Sequence, residues 1–244
     1  MASLLPSGEL GIPLPSKTNV THNSNPTGGI INRKKILEKE ISKDNPYLSK
    51  VHDFLNLNGT ECREIIKDHN VIYLYHDRID ATGDFKKTEG NVFEAVENSI
   101  EELIKLVKKI GKAGSVNIFI TSDHGFIYQN REIEDSDYLS VRPEAEEIFH
   151  SDRRFILGKN FKDSKSFKKF TAAELNIKGD FEVLFPKSVN RLRKSGSGSR
   201  FVHGGISLQE IIIPVVSITK SITKDINAVG VTILTGVSKN ITTS

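Results

Sequence analysis

Four side chains able to hold a divalent cation follow two apolar runs. The first run, residues 71–76 (VIYLYH), leads into Asp77-Arg78-Ile79-Asp80, which puts His76 and Asp80 four residues apart. The second, residues 116–120, passes through Thr121-Ser122 into Asp123-His124-Gly125. Imidazole nitrogen and carboxylate oxygen together suit zinc or manganese. A hydrolase acting on phosphate gains from two such ions about 3.5–4 Å apart, which clamp the attacking and leaving oxygens. A third histidine, His203, stands beside Gly204-Gly205, where the missing Cβ atoms let backbone approach closely. Each motif also has a plainer reading. Asp-His-Gly after a strand is commonly a turn, HDRID a solvated loop with a local Arg78 ion pair, and His-Gly-Gly a tight turn at a strand end. Their coincidence at the ends of two neighbouring strands is what favours a metal site.

That coincidence depends on the intervening helix. Residues 92–110 place Phe93, Val96, Ile100, Leu103, Ile104, Val107 and Ile110 at three- and four-residue steps, an amphipathic helix that Gly111 and Gly114 end. Strand, helix and strand predict a βαβ unit in which residues 71–76 and 116–120 are parallel neighbours. Loops after the strand C-termini then gather along one sheet edge, where ligands bind. Around this unit the spacing predicts helices over 33–42, 47–57 and 58–70, the last with Thr60 as its N-cap. Strands are expected within 153–161 and 180–186, with a helical turn in 171–177. A strand end, a glycine pair, a short helix and a final strand fill 201–219. Residues 1–34 read as loop with at most one helical turn, residues 187–200 as a mobile basic loop, and residues 225–236 as one further strand.

Composition narrows the function classes. At 244 residues the chain makes one large domain or two small ones. Thirty-four Lys plus Arg against 31 Asp plus Glu leave a net charge of +3, too mild to argue for nucleic acid, so direct nucleic-acid binding is left open. The single cysteine, Cys62, excludes a disulfide framework and thiolate-rich zinc sites, reads as a small core residue, and suits a reducing, cytoplasmic setting. No apolar run reaches the length of a membrane span, and the start lacks the basic and apolar regions of a signal peptide. The GSGSR stretch lacks the Gly-Lys-Ser/Thr ending of a phosphate loop and precedes a strand. Arg191, Arg193, Lys194 and Arg200 read as a solvated loop before a polyanion site. Thr82 and Asp84 read as a turn, and His22, His52, His69 and His150 have no partner that spacing supplies.

Taken together, YHDRIDATGD, ITSDHGFIYQ and FVHGGISLQEIIIPVV, in this order and at these separations, resemble the PglZ family of the alkaline phosphatase superfamily, found in BREX phage-defence systems. The resemblance runs over roughly residues 1–220. It implies an alkaline-phosphatase-like α/β fold with a largely parallel sheet flanked by helices. It also implies two divalent metals, zinc with manganese as the alternative. Asp123 and His124 would hold one; His76, Asp80 and His203 would hold the other, with Asp77 a rival to His76. The family nucleophile is a Thr or Ser opening a helix that runs into a segment like residues 2–6 and then a Gly-Ile turn like Gly11-Ile12. Nucleophile and first metal Asp are therefore expected upstream of Met1, and no catalytic residue is assigned. On this reading residues 1–34 are the remnant of the nucleophile helix and loop. Residues 35–220 are the C-terminal half of the domain, and 221–244 start a truncated following region. The implied function is a truncated metal-dependent phosphatase or phosphodiesterase, inactive alone, with other BREX proteins as partners, a phosphate ester as substrate in intact relatives, and no membrane. The alternative is a non-enzymatic assembly partner in a defence complex. A phosphotransferring mutase ranks last, because no sugar-phosphate clamp can be identified.

Overall fold

A computed structural model describes residues 2–14, 19–194 and 198–220. The expected region 221–244, with its strand, lies outside these residues, as do residues 195–197 of the basic loop.

The organising element is the helix Val92–Ala113. Its inner face buries Val92, Ala95, Ser99, Leu106 and Ile110. Gly111 does not end it. Gly114 does, at φ 113°, where the left-handed cap costs a glycine nothing and its N–H reaches the carbonyls of Ile110 and Gly111. Leu106 and Ile110 pack with Val51, Phe54 and Cys62, and the partly buried Leu74 and Ile118 join the same cluster. One helix therefore underlies both strands of the expected unit, Ile72–Tyr75 and Asn117–Thr121. Phe54 is fully buried in this cluster. Its replacement by alanine is expected to cost about 3–5 kcal/mol in a urea-denaturation measurement, through lost burial and the cavity left behind.

The two strands are not the parallel neighbours that the spacing predicts. Ile72–Tyr75 pairs in parallel with Tyr47–Lys50, and Asn117–Thr121 pairs antiparallel with Val215–Thr219 over five residues. A shared helix brings both strands to one apolar cluster; it does not fix that they pair. Among the described residues, parallel strand pairs are Tyr47–Lys50 with Ile72–Tyr75 and Leu10–Gly11 with Ile177–Lys178, beside an isolated parallel bridge of Tyr138 to Arg191, so the architecture is mixed α/β with small, mostly antiparallel sheets.

Further expectations change. Residues 1–34 are not loop throughout: Leu10–Gly11, Thr21–His22 and Asn25–Pro26 form a small sheet with Ile177–Lys178, and the helix Gly29–Glu40 begins within them. In the basic loop Arg191 is buried, not solvated. Residues 47–57 are a strand, Tyr47–Lys50, followed by a helix, Val51–Asn56, because the ladder to Ile72–Tyr75 overrides a helical apolar spacing. The helix Gly59–Asp68 is capped by Asn58, not Thr60: the Asn58 side chain accepts from the Thr60 and Glu61 N–H groups, while Glu61 reaches back to the Asn58 N–H at 2.7 Å.

Residues 147–186 form a four-stranded antiparallel sheet of Glu147–Ser151, Ile156–Lys159, Phe167–Thr171 and Glu182–Pro186. The sequence reading marks only two of these strands. Both faces are packed: Ile156, Phe161, Phe167 and Leu184 fill one cluster, and Leu157, Ala172, Phe181 and Val183 another.

Candidate metal centre

Three loops deliver the candidate ligands. Asp80 sits in the first turn of the helix Arg78–Gly83, directly beyond the strand Ile72–Tyr75. Asp123 and His124 occupy the turn beyond Asn117–Thr121. The strand Phe201–Val202 pairs antiparallel with Ile127–Tyr128, which folds His203 back beside that turn. One ligand atom each from Asp80, His124 and His203 lie within 4.8 Å of one another. His124 Nε2 is 3.7 Å from Asp80 Oδ2 and 3.8 Å from Asp123 Oδ2. The imidazoles of His124 and His203 stack with centroids 4.2 Å apart and planes 6° from parallel.

His76 and Asp77 point elsewhere. His76 Nε2 lies 2.8 Å from Glu102 Oε2, on the long helix, and Arg78 donates to the same carboxylate. Asp77 accepts from Lys50 Nζ at 3.2 Å on the exposed surface. The structure thus brings Asp80, His124 and His203 together, with Asp123 against His124, and leaves the expected ligand His76 hydrogen-bonded to Glu102, a contact that fastens the Asp80 loop to the helix.

The electrostatics suit a cation. Burial pushes the Asp80 carboxyl above its usual range, outweighing the nearby His124 and His203. Asp84 is held below the usual carboxylate range by its hydrogen bond with His203, with Arg153 adding to the effect against the cost of burial. Burial would depress His203, but Asp84 and Asp80 raise it instead. A half-desolvated carboxylate facing two imidazoles is a donor set that zinc or manganese matches, and a divalent charge there would offset the carboxylate's burial.

Beneath the centre lies a fully buried ion pair. Arg154 Nε and Nη2 donate to the two oxygens of Glu210, each at 2.9 Å, with neither side chain exposed. Glu210 also accepts from the Gly205 N–H at 2.9 Å and from the Ser207 hydroxyl at 2.7 Å, which closes the His203-Gly204-Gly205 turn. Its backbone carbonyl accepts from the Gly125 N–H at 2.8 Å, joining that turn to the Asp123-His124-Gly125 turn. A Cβ on Gly125 would stand 2.1 Å from the Gln209 carbonyl oxygen, and one on Gly205 would stand 2.5 Å from Glu210 Oε2. Gly125→Ala is accordingly expected to destabilise the fold by about 1–3 kcal/mol through overpacking against fixed backbone, read as a lowered Tm. Sequence reasoning passed over Arg153, Arg154 and Glu210. The Ser207-x-x-Glu210 spacing carries the one signal for them, a capping box at the start of Leu208–Ile211.

The geometry can be set beside known proteins. Residues 1–218 match the family model described as the BREX system PglZ alkaline phosphatase-like domain. The chain belongs to the PglZ family. The PglZ domain is 37% identical over 221 residues to the alkaline phosphatase-like protein BrxZ of Escherichia coli O9:H4 (strain HS), a match covering 89% of this chain and 25% of that protein. It is 33% identical over 250 residues to the alkaline phosphatase-like protein PglZ of Bacillus cereus (strain H3081.97), covering 100% of this chain and 28% of that protein. The chain therefore spans about a quarter of the length of the curated relatives it matches. An alkaline-phosphatase-like PglZ domain implies dependence on a divalent metal, and Asp80, His124 and His203 are the grouped side chains able to hold one among the described residues. No helix among these residues is long and apolar enough to cross a membrane.

Proposed function

We propose that this PglZ domain is the cation-holding part of a phosphatase or phosphodiesterase-like site working in BREX phage defence. Asp80, His124 and His203 would hold zinc, or manganese as the alternative, with Asp123 at the edge of the set. The observation that carries the reading is the convergence of three ligand atoms from three separate loops within 4.8 Å. A bound divalent ion supplies Lewis-acid stabilisation of phosphoryl oxygens and lowers the pKa of a coordinated oxygen nucleophile. The chain's own residues orient and desolvate that site. Two nearby hydroxyls are committed to backbone: Thr82 Oγ1 donates to the Arg78 carbonyl and Thr121 Oγ1 to the Pro214 carbonyl, both at 2.9 Å. The 244-residue chain is therefore expected to take up zinc without turning over a phosphodiester. Metal content by mass spectrometry and release of nitrophenol from bis-p-nitrophenyl phosphate check both halves. Fast turnover by the purified chain would show that one of its own groups supplies the nucleophile and would sink this expectation.

A second reading, assembly within a defence complex, draws on exposed apolar side chains. Phe119 is 70% exposed, Phe85 66% and Phe93 60%, large apolar side chains that a partner could cover. Under it, co-purification with a neighbouring defence protein should survive His203→Ala.

A further inference from the structure

Asp80 and His124 come from the helix–strand unit and His203 from the end of Phe201–Val202, yet the two arginines bonded to their supports come from a turn of the four-stranded antiparallel sheet. Asp152-Arg153-Arg154 lies between the strands Glu147–Ser151 and Ile156–Lys159. Arg154 holds Glu210, as described. Arg153 is also buried, and its guanidinium makes a different set of bonds. Nη1 donates to the carbonyls of Gly198 and Phe201, both at 3.0 Å, and Nη2 donates to Asp84 Oδ1 at 3.1 Å. That same Asp84 oxygen lies 3.5 Å from His203 Nε2. One planar group thus ties the strand leading into His203 to a carboxylate one helical turn beyond Asp80.

We propose that Arg153 and Asp84 are positioning residues for the cation site. Asp84 fixes the imidazole of His203, and Arg153 fixes Asp84 against the strand Phe201–Val202, so that the antiparallel sheet sets the separation of Asp80 from His203. This rests on the reading of Asp80, His124 and His203 as metal ligands. A carboxylate on one ring nitrogen sets both tautomer and ring orientation of a ligating histidine. Arginine suits the role because its rigid fork serves two carbonyls and a carboxylate at once, in a geometry that a lysine ammonium cannot reproduce. A purely structural Arg153 makes a different demand: its loss would lower stability and leave the affinity and geometry of the metal unchanged.

The test uses the whole 244-residue chain. Zinc affinity is measured by calorimetry, ligand geometry by the visible absorption of the cobalt(II) form, and stability by melting without metal. Arg153→Ala and Asp84→Ala are each expected to weaken zinc binding about 10–100-fold and to change the cobalt spectrum. Arg153→Lys should recover only part of the loss. Should Arg153→Ala fail to fold, Asp84→Ala decides alone, since the Asp84 side chain is 43% exposed and tolerates truncation. Wild-type zinc affinity and cobalt spectrum in Asp84→Ala, beside a clear loss in His203→Ala, would overturn the positioning role and leave the site standing. A wild-type chain that takes up no zinc, or a His203→Ala chain that binds as wild type, would overturn the site itself and the positioning role with it.

Discussion

Glu210→Ala is expected to cost about 3–5 kcal/mol of folding stability, the usual result of removing one partner from a buried ion pair. The reason is the guanidinium left behind. Arg154 is wholly buried, and without Glu210 its Nε and Nη2 lose both charged acceptors. Among the described residues, the Ser188 and Asn190 carbonyls still accept from its Nη1. The Gly205 N–H and the Ser207 hydroxyl lose their acceptor too, so the turn carrying His203 loosens as the fold weakens. Replacing both partners, Arg154→Met with Glu210→Leu, should cost markedly less, because no charge is stranded. Chemical denaturation of the single and double variants near neutral pH separates the two outcomes. The pair should also show in acid. Burial would raise the Glu210 carboxyl, but the Arg154 and Ser207 bonds hold it below the usual range. A carboxylate whose folded pKa is depressed contributes its stability above the unfolded carboxylate range and loses it as pH falls through the folded value. Wild-type stability should therefore drop in acid, and the double variant should show a shallower drop.

Sequence periodicity reveals faces more readily than neighbours. The helix Val92–Ala113 was legible because its apolar residues recur at helical steps, and of the two glycines expected to end it Gly114 is the cap while Gly111 lies inside. The pairing of Asn117–Thr121 was not legible, because alternation says which face is buried and nothing about which strand lies alongside; its partner, Val215–Thr219, is some ninety residues away in sequence. The same limit separates His203 from His76. Both follow apolar stretches, and both read as ligands from residue type and place. What divides them is Glu102, on the crossover helix itself, whose nearness to His76 only the packed helix determines. Arg153 and Arg154 were passed over for another reason. Charged residues in a polar stretch read as surface, and arginines this fully buried are uncommon unless paired. The partner of each, Asp84 or Glu210, lies more than fifty residues away.

The sharpest contrast at the site is therefore between the two histidines. His203→Ala and Asp80→Ala are each expected to lower zinc affinity by more than the 10–100-fold that loss of a supporting group produces, since each deletes a ligand outright. His76→Ala should leave affinity within a few-fold of wild type, because the ring is spent on Glu102, and it should instead leave Glu102 with Arg78 as its remaining partner and lower Tm slightly. Calorimetric zinc titrations of the three variants give the comparison. Metal removal supplies an independent readout: zinc at 100 times its Kd should stabilise the wild-type chain by about 2.7 kcal/mol, and a chelator should abolish that gain. In His203→Ala and Asp80→Ala the melting curve should be indifferent to zinc at the same concentration. Should His76→Ala lose zinc as severely as His203→Ala, the cation would have to sit where His76 can reach it, and the Glu102 pair would have to open on binding. That result would put the centre on the first strand's rim and favour the set of His76, Asp80 and His203 that the family resemblance implies.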